Sequence, residues 1–128
     1  MVSWFRQFCI HVSDIDATIK FYETLGLECT SRTKITDDID EAVIENPERG
    51  AWIQLAQNKK ITPPIDMGSA MWKLYVNTDD IDETFQAAHD AGFEVSVKPE
   101  RLERWPVTIA FVTDPDGYLV ELVQRHPD

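Results

Sequence analysis

Cationic residues are in short supply in this chain. Twelve Lys and Arg stand against 23 Asp and Glu over 128 residues, a formal charge of -11. So acidic a surface repels nucleic-acid phosphates and anionic lipid headgroups, and neither nucleic acid nor membrane is an expected partner. The nearest approach to a basic tract, Gln57-Asn58-Lys59-Lys60, is too short to act as one. Only two cysteines occur, Cys9 and Cys29, too few for a disulfide framework; both lie in apolar, strand-like stretches and read as small hydrophobes. No basic segment followed by an apolar run opens the chain, as a secretory signal would. No apolar run approaches the roughly 20 residues of a bilayer span. The expectation is a cytoplasmic protein. Also missing are a nucleophile elbow, a Gly-rich phosphate loop, a CxxC pair and an HExxH helix, which removes the simplest hydrolase, nucleotide-binding, redox and zincin readings. What the chain does have is apolar material, 43% of its residues, enough for the core of one domain.

It also repeats itself. The run DIDATIKFYETLGLE from Asp14 aligns without a gap on DIDETFQAAHDAGFE from Asp80, with six of fifteen positions identical: Asp14/Asp80, Ile15/Ile81, Asp16/Asp82, Thr18/Thr84, Gly26/Gly92 and Glu28/Glu94. Repetition over this length suggests a duplicated supersecondary unit. Each copy opens on a strand of alternating character, Trp4 to Val12 and Met71 to Thr78. A helix follows, with Ile15, Ile19, Tyr22 and Leu25 at helical spacing in one copy and Ile81, Phe85, Ala88 and Ala91 in the other. Gly26 and Gly92 supply the left-handed residue that ends each helix. Three strands complete each copy: roughly Glu28 to Lys34, Glu41 to Glu45 and Ala51 to Ala56, then Glu94 to Lys98, Val107 to Val112 and Tyr118 to Gln124. Turn signals at 46–50 and in Asp114-Pro115-Asp116-Gly117 separate them.

The expected class is therefore α+β, built from two βαβββ modules at 1–57 and 71–128 with a linker at 58–70, one structural domain in all. A four-stranded sheet with one helix leaves its second face uncovered. Two such modules can turn those faces together and enclose a cleft. The partner module can come from the same chain or a second one, so a homodimer is expected.

The paired modules, the helix ending FYETLGLE and the closing run IAFVTDPDGYLVELV resemble the vicinal oxygen chelate superfamily of glyoxalase I, bleomycin-resistance proteins and extradiol dioxygenases. The resemblance covers nearly the whole chain. It implies four side chains, from the first and last strands of each module, that hold one divalent metal in the cleft. The positions fall on Gln7, Gln54, Lys73 and Glu121. Glutamine is acceptable at the first two, and Glu121 is the family's most general ligand and the base in glyoxalases. The third position departs from the pattern, which calls for histidine. A slip of two residues would bring Met71 there instead. A protonated ammonium cannot ligate, and a thioether suits soft copper(I) rather than zinc, nickel or magnesium. A physical alternative is that Lys73 supplies the missing positive charge and pairs with Glu121 across the cleft, since a buried carboxylate needs a cation.

Other residues belong to the expected ligand site. His11 shares a strand face with Gln7 and Cys9. It stands where the resemblance would place an arginine for a glutathione carboxylate. Trp52 shares a face with Gln54, and Tyr75 with Lys73; with Met71, Leu119 and Val123 they suit a partly apolar molecule. The segment 98–106 reads as a charged loop whose Arg101, Arg104 and Trp105 can rim the cleft. His89 and His126 read as surface residues. The leading expectation is a small-molecule-binding protein of this superfamily that uses Gln7, His11, Trp52, Gln54, Lys73, Tyr75 and Glu121 and no divalent metal. The alternative is a metal-dependent lyase, isomerase or dioxygenase, with Glu121 as catalytic base and a divalent metal held by Gln7, Gln54, Glu121 and water.

Overall fold

The computed structural model describes residues 1–127. It is an α+β structure of two βαβββ modules, and the chain divides into a unit of residues Met1–Asp66 and a second beginning at Met67. The first unit runs β1 (Gln7–His11), α1 (Ile15–Thr24), β2 (Glu28–Lys34), β3 (Ile39–Glu45) and β4 (Trp52–Asn58). The second runs β5 (Leu74–Asn77), α2 (Ile81–Asp90), β6 (Glu94–Arg101), β7 (Val107–Thr113) and β8 (Leu119–Arg125).

The sheets have one topology, β1-β4-β3-β2 and β5-β8-β7-β6, with the first pair of each parallel and the others antiparallel. The helix between the first and second strands of a module crosses over one face of its sheet, as a parallel neighbour requires. Helix α1 packs on β2, β3 and β4; α2 packs on β6, β7 and β8. The cores lie beneath them: Ile10, Phe21, Tyr22, Ile44 and Leu55 in the first unit, and Ile81, Ala88, Val112, Val120 and Leu122 in the second are all buried. Alternation then sends the intervening strand residues to the helix-free face.

The helices start and stop where the sequence places them. Asp14 and Asp80 cap the N-termini, each carboxylate accepting a backbone N–H at 3.1 Å, from Ala17 and Glu83. Gly26 and Gly92 follow the last turns with φ of 94° and 87°. A second tie recurs at each helix start: the first helical N–H, of Ile15 or Ile81, donates to the side chain of a glutamine on the module's last strand, Gln57 (2.8 Å) or Gln124 (2.9 Å).

Strand ends differ from expectation where pairing, not pattern, sets them. β1 begins at Gln7 rather than Trp4, because its parallel partner β4 begins at Trp52, opposite Gln7. β5 begins at Leu74 rather than Met71, its ladder starting at Leu74 opposite Val120. β6 runs three residues past its expected end at Lys98, through Pro99 to Arg101. Pro99 has no N–H to give, and the ladder with β7 skips from Val97/Phe111 to Glu100/Ile109; an edge strand tolerates that break.

Candidate functional site

The helix-free face of the second sheet carries the most developed cluster. The β5–β8 ladder sets Tyr75 beside Glu121, and the β7–β8 ladder sets Phe111 on Glu121's other side. Lys73 lies two residues before Tyr75, hence on the same face. Its Nζ donates to Glu121 Oε1 at 2.5 Å. The two side chains are 13% and 12% exposed, so the pair is largely withdrawn from solvent. Sequence reasoning brings these two residues together correctly but sets them on opposite walls. They lie on the same face of one sheet, because Lys73 immediately precedes β5, which is adjacent and parallel to β8.

Three aromatic rings surround the same ammonium. Nζ lies 4.1 Å from the centroid of Trp72, 5.2 Å from Tyr75 and 5.5 Å from Phe111. The Glu121 hydrogen bond holds the Lys73 ammonium more firmly protonated than an ordinary lysine; burial opposes this, and the Glu121 charge and the Tyr75 hydroxyl add to it. Lys73 is therefore a fixed cation at neutral pH, unsuited to attack as a free amine. Farther along the face, Val107, Ile109 and Val123 form an apolar patch, with Val97, Leu102 and Phe111 packed against it.

In the first unit, Gln7, Cys9 and His11 are exposed along edge strand β1, opposite Trp52, Gln54 and Ala56 of β4. Gln54 donates to Glu41 Oε1 at 3.2 Å. Glu41 escapes the sequence reading; the β3–β4 register sets Gln54 opposite Val43 and Glu41 opposite Ala56, so the two meet as diagonal neighbours on one face. Ser31, Thr33, Glu41, Val43 and Gln54 line a hollow of about 80 Å³, well below the few hundred Å³ of a ligand pocket. Arg6 stacks over Trp52 at 4.6 Å, and the Trp52 Nε1 is buried with no hydrogen-bond partner among the described residues. Although Cys9 as a residue is exposed, partial burial of its thiol, then the Glu41 charge, push the thiol pKa up. His126 is tied at 2.7 Å to Thr108, and His89 is exposed.

The turn before β8 holds another residue that reading by pattern treats only as a turn former. Asp114 is buried, its Oδ1 accepting the N–H groups of Asp116 and Tyr118 at 2.9 Å each, while Oδ2 has no hydrogen-bond partner among the described residues. Burial pushes its pKa up to about 6, against the pull of those N–H groups.

Two βαβββ modules of one sheet topology define a class of protein. The sequence pattern of the Glyoxalase/Bleomycin resistance protein/Dioxygenase superfamily matches residues 4–122. The chain belongs to that superfamily. It is 33% identical over 121 residues to a probable lactoylglutathione lyase of Vibrio parahaemolyticus, covering 91% of this chain and 86% of that protein. It is 30% identical to the lactoylglutathione lyase of Haemophilus influenzae, covering 91% of this chain and 88% of the relative. Glyoxalase I from Zea mays superposes with a TM-score of 0.83 at 26% identity over 94% of this chain, which spans only 44% of the maize chain. A glyoxalase family protein from Bacillus cereus, at 16% identity and a TM-score of 0.84, shares the fold over 99% of this chain.

Proposed function

We propose that the chain binds a small, partly apolar molecule on the helix-free face of its second sheet and does so without a divalent metal. The observation that carries this reading is the Lys73–Glu121 ion pair. The donor set does not fit the metal that the superfamily resemblance implies. Glu121, the one carboxylate among the four positions, already has an ammonium against its Oε1, and a dication would stand beside a like charge. Gln7 and Gln54 add only neutral amides. Among the described residues, no group of three or more His, Cys, Asp and Glu offers another place. The exposed rings of Trp72 and Tyr75 and the half-buried Phe111 give the ligand flat apolar contacts. Gln7, His11, Trp52 and Gln54 are the candidate ligand-binding residues of the first unit, on the helix-free face of its own sheet. The protein acts as a homodimer in the cytoplasm; no helix among the described residues is long and apolar enough to cross a membrane.

A second reading has the relatives in its favour. Those named lactoylglutathione lyase are 33% and 30% identical to this chain, so a lyase or isomerase with Glu121 as base, its metal held by Gln7, Gln54, Glu121 and water, is the alternative. Metal analysis of the purified protein followed by calorimetric titration with zinc, nickel, manganese and iron(II) separates the two. The metal-free reading requires that no ion bind more tightly than roughly 10 µM, about -7 kcal/mol. Stoichiometric binding that Glu121→Gln abolishes overturns the metal-free reading, and the chain is then assayed as a metal-dependent lyase or isomerase.

A further inference from the structure

The surroundings of Lys73 are unusual for a lysine that only neutralises a carboxylate. One hydrogen bond to Glu121 would do that. Here the Nζ also lies within reach of three aromatic rings at 4.1, 5.2 and 5.5 Å. Rings around a cation, closed by a carboxylate, are the arrangement that recognises organic ammonium ions, because the ring faces carry negative potential and tolerate an alkylated nitrogen that water solvates poorly. Two of the rings, Trp72 at 74% and Tyr75 at 59%, are largely exposed, so the box opens to solvent. Lys73 itself lies just outside β5, before the first ladder pair Leu74/Val120. Its removal from the box breaks no strand pairing.

We propose that Trp72, Tyr75, Phe111 and Glu121 form a receptor for an organic ammonium ion, and that Lys73 is a built-in occupant that a cationic ligand displaces. The inference rests on the metal-free reading above and names the ligand class of that site. The charge of the chain agrees with it: at -11, the molecule attracts cations and repels anions from a distance. The occupant also explains how Glu121 stays withdrawn from solvent when no ligand is bound, since a lone carboxylate there would be costly. Lys73 thus acts as a placeholder. It competes as a tethered ligand, at an effective concentration in the millimolar range, so binding to the native chain is weakened by about tenfold or more.

The test uses the full chain and phenyltrimethylammonium as probe, with 3,3-dimethylbutanol as a neutral isostere of its head and benzoate as the anionic control. In the native protein the Lys73 ε-methylene protons, held among three rings, resonate upfield of an ordinary lysine. Saturating probe returns them to the ordinary position as the side chain leaves the box. Lys73→Gln, which keeps an N–H donor for Glu121, binds the probe about tenfold more tightly than the native chain, and adding Phe111→Leu reverses most of that gain. The idea is overturned if the Lys73 protons do not move at saturating probe, or if benzoate or the neutral isostere moves them equally. A zinc titration on the same sample tells the two failures apart. Zinc binding at Glu121 sinks the metal-free reading, whereas inertness to both zinc and the probe sinks only the receptor.

Discussion

Replacing Asp114 by Asn isolates a single electrostatic cost from an otherwise unchanged turn. The Asp114 side chain is buried, its pKa stands at about 6 against 3.8 in the unfolded chain, and the main cause is loss of solvation for the charged form. The folded state therefore holds the proton to higher pH than the unfolded state does. Between about pH 4 and 6 it binds more protons, so stability falls as pH rises through that window. Below it both states are protonated and nothing is lost; above it the whole penalty is present. A shift of roughly two units at 1.36 kcal/mol per unit makes that penalty about 3 kcal/mol. Asn keeps the oxygen that accepts the Asp116 and Tyr118 N–H groups and cannot ionise. Its Nδ2, at the position of the unpartnered Oδ2, adds a cost that does not vary with pH. Urea unfolding of both proteins from pH 4 to 7.5 gives the check: the stability of Asp114→Asn minus that of the native chain rises by about 2 to 3 kcal/mol across the range. Titration of other carboxylates is common to both proteins and cancels. A difference that is flat with pH refutes the assignment of the raised pKa to this group.

Three other expectations follow from contacts described above. Lys73→Met leaves Glu121 without its cation and destabilises by about 3 kcal/mol, whereas Lys73→Met with Glu121→Leu recovers to within about 1 kcal/mol; a double-mutant cycle in urea measures the coupling. Because the Lys73 pKa is raised, the stability from its pairing is complete below the ordinary lysine value and is lost only as pH climbs through the higher folded value, so the coupling is constant from pH 6 to 9. Asp14→Ala and Asp80→Ala each cost about 1 kcal/mol through loss of an N-cap, read by thermal unfolding, and Asn at either position restores most of it. Cys9, with its thiol pKa raised by burial and by Glu41, reacts more slowly with a disulfide reagent at pH 8 than an unfolded-chain thiol does; Glu41→Gln speeds the reaction.

The helices were the most legible part of the sequence, since caps, spacing and closing glycines are all local signals. The succession of elements along the chain was legible because the copies repeat and share their punctuation. Strand ends were not, because they depend on where a distant partner begins: Gln7 starts β1 because Trp52 starts β4. The Lys73–Glu121 contact could be foreseen from the vacated position and the need of a buried carboxylate for a cation. The rings around it are a matter of register. Phe111 could have been found by folding the β7–β8 hairpin about Asp114–Gly117, which sets 111 against 121; Trp72, outside any strand, offered no such signal. Arg6 on Trp52 and the burial of Asp114 likewise arise from tertiary packing that no local pattern encodes.

The glutamine ties at the helix starts bear on how such a chain could have arisen. Gln57 is 42 residues from Ile15 and Gln124 is 43 from Ile81, so each hydrogen bond joins the opening of a module to its final strand. Each half is latched to itself. A duplication that copied less than the whole stretch would have left a helix start without its acceptor and a last strand without its grip, whereas one that copied all of it delivered a second finished piece. Drift could then act separately on the helix-free faces, which the latches do not touch, and the two faces have diverged: one carries Gln7, Trp52 and Gln54, the other Lys73, Tyr75 and Glu121.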